Sequence, residues 1–192
     1  MKRNIVILVL GSCCLFNSCY ELDLNPLSQG SSENWYSSET EIEMALKDGY
    51  RQDFWPKDKE EWTDDYVYRE TNSAIVNGTL NGQTDEVTKM WSNQYKAIAR
   101  ANTVLANMEK AQSLGISQSK IDQYTAEAYF LRASMYSTLI SHFGDVVYVT
   151  EVMDVDQAFE VGRTAKAEII PKVYEDFDKA AAGLPLVYTG ST

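Results

Sequence analysis

The sequence predicts an all-α chain of tetratricopeptide-like helical hairpins joined by long loops. Three observations carry that expectation. Several stretches place apolar residues at the 3.6-residue spacing of one helix face between capping residues, alanines cluster where helices would cross, and one long segment is broken by Pro56 and two Asn-Gly pairs.

The first helix is read from "SSETEIEMALKDGY". Ser38 is an N-cap with Glu41 three residues on, the pattern of a capping box, and Ile42, Ala45, Leu46 and Tyr50 follow along one face. The helix is expected over 39–54. From Phe54 to Glu86 helical spacing fades, so a long loop is expected there, with room for one helical turn near 64–69. Such loops either carry function or merely cover helix ends. The second helix is expected over 87–111, with Val87, Trp91, Tyr95, Ile98, Asn102, Leu105 and Met108 on one stripe and Gly115 as a stop.

The third helix is expected to start after Ser119, whose partner Asp122 repeats the capping-box pattern, and to run to Gly144. Its apolar face is read as Ala126, Phe130, Ala133, Tyr136 or Ser137, Ile140 and Phe143. "DVVYVTEVMD" is β-branched and apolar, a connector that runs extended or pairs briefly. A fourth helix over 165–182 has Thr164 as its N-cap and "GLP" at 183–185 as its end, with Pro171 expected to kink it or shift its start. Ala126, Ala128, Ala133, Ala180 and Ala181 are read as crossing points of stacked hairpins of the tetratricopeptide type, although no clean internal period is present. "LPLVYTGST" ends without a capping helix, which leaves a terminal face to be covered.

Composition narrows the function classes. With 192 residues, 44% hydrophobic and 11% aromatic, the chain has material for one domain with a real core. Seventeen Lys and Arg against 28 Asp and Glu make the formal charge −11, which argues against a nucleic-acid partner because phosphates call for a cationic surface. At the start, Lys2 and Arg3 precede an apolar run that opens at Ile5 and reaches Phe16, too short to span a bilayer. This is a targeting segment over 1–18. Cys13 and Cys14 lie inside its apolar run, while Cys19 follows Ser18 where cleavage is expected. Three readings of Cys19 stay open on these residues: a lipid-modified first residue, an ordinary residue near a secretory cleavage site, or a disulfide or metal ligand. The last is weakest, since no Cys or His pair has ligand spacing and His142 is the sole histidine.

No catalytic set stands out, so no enzyme and no cofactor are expected. His142 is read as packing, or as bonding the last carbonyls of its helix, rather than as a base. Asp64 with Asp65, and Asp154 with Asp156, offer paired carboxylates but no recognisable calcium loop, and are read as solvated turns. There is neither a glycine-rich phosphate loop nor a nucleophile elbow. Aromatic residues are the more informative inventory: four Trp, twelve Tyr and six Phe. Sugar rings present flat C–H faces that stack on such side chains, while Asp, Asn and Arg bind hydroxyls in pairs. Trp55, Trp62, Tyr66, Tyr68, Arg69 and Asn72 in the loop are therefore compatible with a carbohydrate site. Trp91 and Tyr95 are expected in the core, and Asn102 is expected to make a buried helix-to-helix hydrogen bond.

The segment "LFNSC" resembles a bacterial lipobox, in which the modified cysteine becomes the new N-terminus, and Glu21 and Asp23 resemble the export signal of surface lipoproteins in the Bacteroidetes. "CYELDLNPLSQ", "MWSNQYKAIARANTVLANM" and above all "AEAYFLRASMYSTLISHFGDVVYVTE" resemble the N-terminal part of the SusD/RagB family of outer-membrane nutrient-binding lipoproteins, from Cys19 to about Pro185. The resemblance implies a signal peptide over 1–18, an extended tether over 19–37, a helical domain over 38–185 and a tail over 186–192. It implies lipidation of Cys19, display on the outer-membrane surface and pairing with a SusC-like TonB-dependent transporter. It further implies capture of a glycan or oligosaccharide without chemical conversion, with Asp65, Tyr66, Arg69 and Asn72 as candidate ligand-binding residues. Arg69, in "YVYR", matches by position a ligand-binding arginine of starch-binding members. Family members are more than twice as long, so the chain is expected to be a truncated member that binds ligand poorly or not at all by itself. The competing reading is a helical lipoprotein that acts only through protein–protein contacts.

Overall fold

The computed structural model describes residues 35–55, 63 and 74–187. The expected class holds: these residues form a tetratricopeptide-like set of packed helices, and their one piece of β pairing is an isolated bridge between Val146 and Thr164. Six α-helices follow in order: α1 (Glu39–Asp48), α2 (Asp85–Ala106), α3 (Met108–Ser113), α4 (Gln118–Phe143), α5 (Val155–Glu160) and α6 (Lys166–Gly183). Helix α4 is central, packing most extensively on α6 and α2, while α1 leans on both α2 and α4.

Ser38 caps α1 as expected, its hydroxyl accepting the Glu41 N–H at 3.3 Å. The reciprocal contact differs in detail, because Glu41 accepts the N–H and hydroxyl of Ser37 at 2.7 and 3.0 Å. The helix stops at Asp48, six residues short of the expected end, and Gln52–Phe54 follow as a 3-10 turn. Gly49 follows the helix at a close approach: a Cβ there would lie 2.5 Å from a methyl of buried Leu131, and its carbonyl accepts the Trp55 indole N–H at 3.0 Å. The turn carries Phe54 under the Arg100 guanidinium, 4.9 Å from the ring centre, while its carbonyl accepts from Gln94 at 2.9 Å.

The expected second helix is two. Asn107, at φ −98° and ψ 1°, interrupts it, and its side-chain amide donates to the Thr103 carbonyl at 2.8 Å. Such local side-chain bonding competes with the regular ladder. Gly115 and Gly144 end α3 and α4 with φ of 76° and 72°, a region glycine enters without steric cost. Helix α4 begins at Gln118 behind Ser117, which places Ser119 inside the helix, so the Ser119–Asp122 capping box does not form, and Asp122 accepts from the Gln118 amide at 2.7 Å instead. Its buried surface is wider than one stripe: Leu131, Met135 and Leu139 are buried along with Ala133, Tyr136 and Ile140, since α2 and α6 cover different sides. Full burial of each such large apolar side chain contributes about 1.5–3 kcal/mol.

Helix α6 is also capped differently from the expectation. Thr164 is held in the bridge to Val146, Ala165 takes the N-cap position, and the Asp145 carboxylate accepts the Lys166 N–H at 2.9 Å. Pro171 lies inside the helix without delaying its start. Ala180 is buried on α6 whereas Ala181 faces outward, so only the former is a crossing point. The short helix α5 has no counterpart in the periodicity. Asp154 and Gln157 close a complete capping box, the Gln157 N–H on the Asp154 carboxylate at 2.8 Å and the Asp154 N–H on the Gln157 amide oxygen at 3.0 Å.

The core gathers Phe54, Ile98, Met135, Tyr136, Leu139 and Ile169, with half-buried Trp91, Tyr95 and Phe143 packed against it. Beside it lies a buried polar clasp. Arg132 of α4 donates through Nε and Nη2 to both carboxylate oxygens of Asp176 of α6, at 2.7 and 3.0 Å, with the two side chains only 6% and 4% exposed. Its Nη1 donates to Asn102 Oδ1 of α2 at 3.0 Å and to the Thr150 carbonyl at 3.1 Å. Asn102 in turn donates to the carbonyls of Val149 and Glu151, both at 3.2 Å. Tyr136 exchanges bonds with both backbone groups of Val149, and the Tyr95 hydroxyl donates to the Val147 carbonyl at 2.9 Å. Asn102 thus makes the expected interhelical bond, and the connector that follows Gly144 is held by side chains of two helices.

Removing one partner of this pair strands the other in a buried site. Asp176→Ala is expected to cost about 3–5 kcal/mol in urea unfolding, and the double change Arg132→Met with Asp176→Leu to recover only part of it, because Asn102 Oδ1 and the Thr150 carbonyl then lose their Arg132 donor. At the α4–α6 crossing, a Cβ at Gly183 would lie 2.7 Å from the Ala126 Cβ and 3.2 Å from the Asp122 carbonyl. Gly183→Ala is expected to lower stability by about 1–3 kcal/mol in the same measurement.

Candidate functional site

The loop expected to bind ligand is described only at its two limbs. Asp65, Tyr66, Arg69 and Asn72 lie outside the described residues, as do Cys19 and the expected helical turn near 64–69. On the outgoing limb Trp55 stacks between Tyr50 and Phe130, each ring centre 6.1 Å away, while its indole N–H holds the Gly49 carbonyl. Trp55 is thus sandwiched as a structural aromatic. The returning limb is tied by Ala74, whose carbonyl accepts from Thr79 and Leu80 at 2.9 and 3.1 Å, and by Asn81, whose side chain accepts from Gln83 at 2.9 Å.

That limb delivers Ile75 and Leu80 to a pocket of about 130 Å³ against Val87, Met90 and Phe143, with Glu86 and His142 on its lining. The His142 Nδ1 lies 2.9 Å from the Thr138 carbonyl. A carbonyl only accepts, so Nδ1 is the donor of this bond. His142 therefore bonds a carbonyl of its own helix, as expected. Next to this pocket Trp91 meets the Phe143 edge at 5.1 Å and the Tyr95 ring at 5.0 Å, with the Arg163 guanidinium 5.4 Å from its centre. Trp91 and Tyr95 are packed against the core, as their spacing predicts.

A second, larger groove of about 260 Å³ runs between α2 and the connector, lined by Tyr95, Ile98, Asn102, Val149, Met153 and Ala158 among others. Its polar groups are committed to the fold. Burial pushes the Tyr95 hydroxyl up to about 12, so it stays a neutral donor to Val147 throughout the physiological range. Burial likewise raises Tyr136. Burial works against the charge of Arg132, but the Asp176 carboxylate more than offsets it and leaves the arginine above its ordinary value.

Among the described residues no group of three or more His, Cys, Asp or Glu is arranged to hold a metal ion. Asp154, weighed as half of a carboxylate pair, spends its side chain as a helix cap. The buried groups that organise this surface, Arg132 and Asp176, were missed by motif reasoning. A signal was present: Asp176 lies on the stripe of Ile169, Val173 and Ala180, and Arg132 falls between Leu131 and Ala133, so two charges of opposite sign interrupt apolar helix faces.

Several proteins to which this chain is similar are named for binding. A family profile described as "Starch-binding associating with outer membrane" matches residues 22–191. SusD-like protein P2 of Formosa agariphila is 23% identical over 181 residues, an alignment that takes in 87% of this chain and 35% of P2. Among solved structures, a SusD-like carbohydrate binding protein from Bacteroides fragilis has a TM-score of 0.61 at 26% identity, covering 78% of this chain and 32% of that one. A laminarin binding SusD-like protein has a TM-score of 0.53 at 28% identity, covering 58% and 23%. The chain spans about a third of the length of the first two. The helical fold and the profile match over most of the sequence agree, and the chain belongs to the SusD-like family.

Proposed function

We propose that this protein is a non-catalytic, cell-surface glycan-binding lipoprotein that delivers oligosaccharide to a SusC-like TonB-dependent transporter of the outer membrane. The observation that carries the reading is the match of residues 22–191 to the family described as starch-binding and associated with the outer membrane. A relative named for carbohydrate binding and another named for laminarin share the fold and support it. Lipidation at Cys19, after cleavage of residues 1–18, supplies the anchor, and 19–37 the tether that separates it from the helical domain over 38–185. Among the described residues no helix is long and apolar enough to cross a membrane, which is compatible with an anchor outside them.

The chemistry of capture is adsorption. Aromatic faces take the C–H faces of the sugar, while Asp65, Arg69 and Asn72 pair with its hydroxyls and Tyr66 provides a stacking ring or a hydrogen bond. No covalent step is required, so no nucleophile or base is assigned. Sugar recognition built on a loop is positioned by rigid elements at its limbs. Here those are the aromatic stack at Trp55 and the turn that seats Ile75 and Leu80.

The test is calorimetric titration of the 192-residue protein with a panel that includes starch and laminarin oligosaccharides. Weak, saturable binding of at least one glycan is expected, reduced about tenfold or more by Arg69→Ala, a loss of about 1.4 kcal/mol, with the unfolding transition unchanged. A flat response to every glycan would leave only a protein-interaction role. In cells, labelling with radioactive palmitate is expected for the wild type and absent for Cys19→Ala.

A further inference from the structure

The two Asn-Gly pairs of the returning limb, Asn77-Gly78 and Asn81-Gly82, play no part in the binding reading, and the fold treats them differently. An asparagine before glycine is chemically labile. The glycine nitrogen, unhindered by a side chain, attacks the carbonyl carbon of the preceding side chain once its own N–H proton is lost. Both pairs are exposed, so water reaches each of them. The Gly78 N–H is spent on the Ile75 carbonyl at 3.2 Å, a bond that opposes loss of its proton. The Gly82 N–H has no partner among the described residues, and a Cβ at Gly82 would meet nothing within 4 Å.

The carbon under attack is prepared as well. The Asn81 side-chain oxygen accepts the Gln83 N–H at 2.9 Å, and its Nδ2 donates to the Thr79 carbonyl at 3.2 Å. The first bond closes a ring that contains both Asn81 Cγ and the Gly82 nitrogen, so the carboxamide is folded back toward the atom that attacks it. It also sets a backbone donor on the oxygen where negative charge develops, as an oxyanion hole does. The main chain of Asn81 is fixed too, its N–H on Thr84 Oγ1 at 2.9 Å and its carbonyl accepting the Thr84 N–H at 3.0 Å.

We propose that Asn81 is a site of self-modification, at which the fold directs deamidation to this pair and shields Asn77. The Gly82 nitrogen gives its proton to solvent hydroxide and bonds to Asn81 Cγ. The Cγ–Nδ2 bond then breaks, and the nitrogen leaves as ammonia with a proton taken from water. Water opens the resulting succinimide at either carbonyl, giving aspartate or isoaspartate, and no oxidant or reductant takes part. Aspartate loses the Nδ2 donor to Thr79 and adds a negative charge just before the first turn of α2, which already carries Asp85 and Glu86. Isoaspartate routes the chain through the side-chain carbon, adding a methylene to the backbone inside the bonds that tie residue 81 to Thr84. The adjoining residue, Leu80, lines a pocket with Phe143, so the change reaches the seat of the returning limb.

The test incubates the 192-residue protein in mildly alkaline buffer and digests it with trypsin beside an unincubated control. Tandem mass spectrometry of the peptide from Glu70 to Lys89 assigns the amide-to-acid mass change to residue 77 or 81. Conversion at Asn81 is expected to be about fivefold or more faster than at Asn77, the factor that one backbone hydrogen bond supplies. In guanidinium chloride, where both turns are lost, the two rates should approach each other. Gly82→Ala is expected to slow conversion at 81 about tenfold or more with circular dichroism unchanged, because the added methyl fits the native turn but crowds the attacking nitrogen. Four results would each overturn the proposal: no conversion at Asn81, conversion at Asn77 as fast or faster, an equal rate at 81 in Gly82→Ala, or the same preference for Asn81 in guanidinium chloride, which would trace it to sequence alone. The measurement needs no glycan and stands apart from the binding assay.

Discussion

The ion pair between Arg132 and Asp176 is the constraint on which the rest of the structure depends. Two charges withdrawn from water cost several kcal/mol each, and their attraction compensates only when nearly every donor and acceptor is used. Four of the five guanidinium N–H groups are used here, two on Asp176, one on Asn102 and one on the Thr150 carbonyl. The bidentate geometry fixes α4 against α6 more narrowly than apolar packing alone does, because a guanidinium and a carboxylate must be coplanar and in register. Packing sets how close the helices come, and the pair sets how they are aligned.

The same arginine reaches past its ion-pair partner into the connector. Through Thr150, Val149, Glu151 and Val147, side chains of α2 and α4 take up backbone carbonyls that a short extended segment cannot satisfy with one isolated bridge. Satisfying those groups is what allows a nearly strandless segment to lie against a helical core. With its inner carbonyls bound, the connector turns its remaining surface toward α2 as a groove and carries α5 outward. The glycan reading rests on another part of the scaffold, the loop limbs at Trp55 and Ala74.

Much of this was legible from residues close together in the chain. Ser38 caps its helix, Gly144 ends the longest one, Asn102 is buried and His142 bonds a carbonyl of its own turn, each inferred from spacing within a few residues. The family motif around "AEAYFLRASMYSTLISHFGDVV" was legible too, although what its arginine does was not. Asp122 shows how local reading fails: Ser119 and Asp122 have the right separation for a cap, yet the helix starts at Gln118 behind Ser117, which leaves Ser119 inside it. The capping box at Asp154 and Gln157 was equally local, but its helix buries nothing and so leaves no apolar period to find.

By itself the sequence determined where the four main helical stretches lie and where most of them begin and end to within a few residues, and its motifs carried the resemblance to the SusD-like family. The helix positions depend on capping, glycine geometry and 3.6-residue periodicity, all set by neighbours one to four positions apart. Tertiary structure alone decided that α1 stops at Asp48, where Gly49 meets Leu131, and that Asp145 caps α6 from across the connector. It alone paired Arg132 with Asp176, 44 residues away. A charge on an apolar stripe announces that a partner is needed, but which partner is chosen depends on where two helices cross, and that follows from the packing of the whole core.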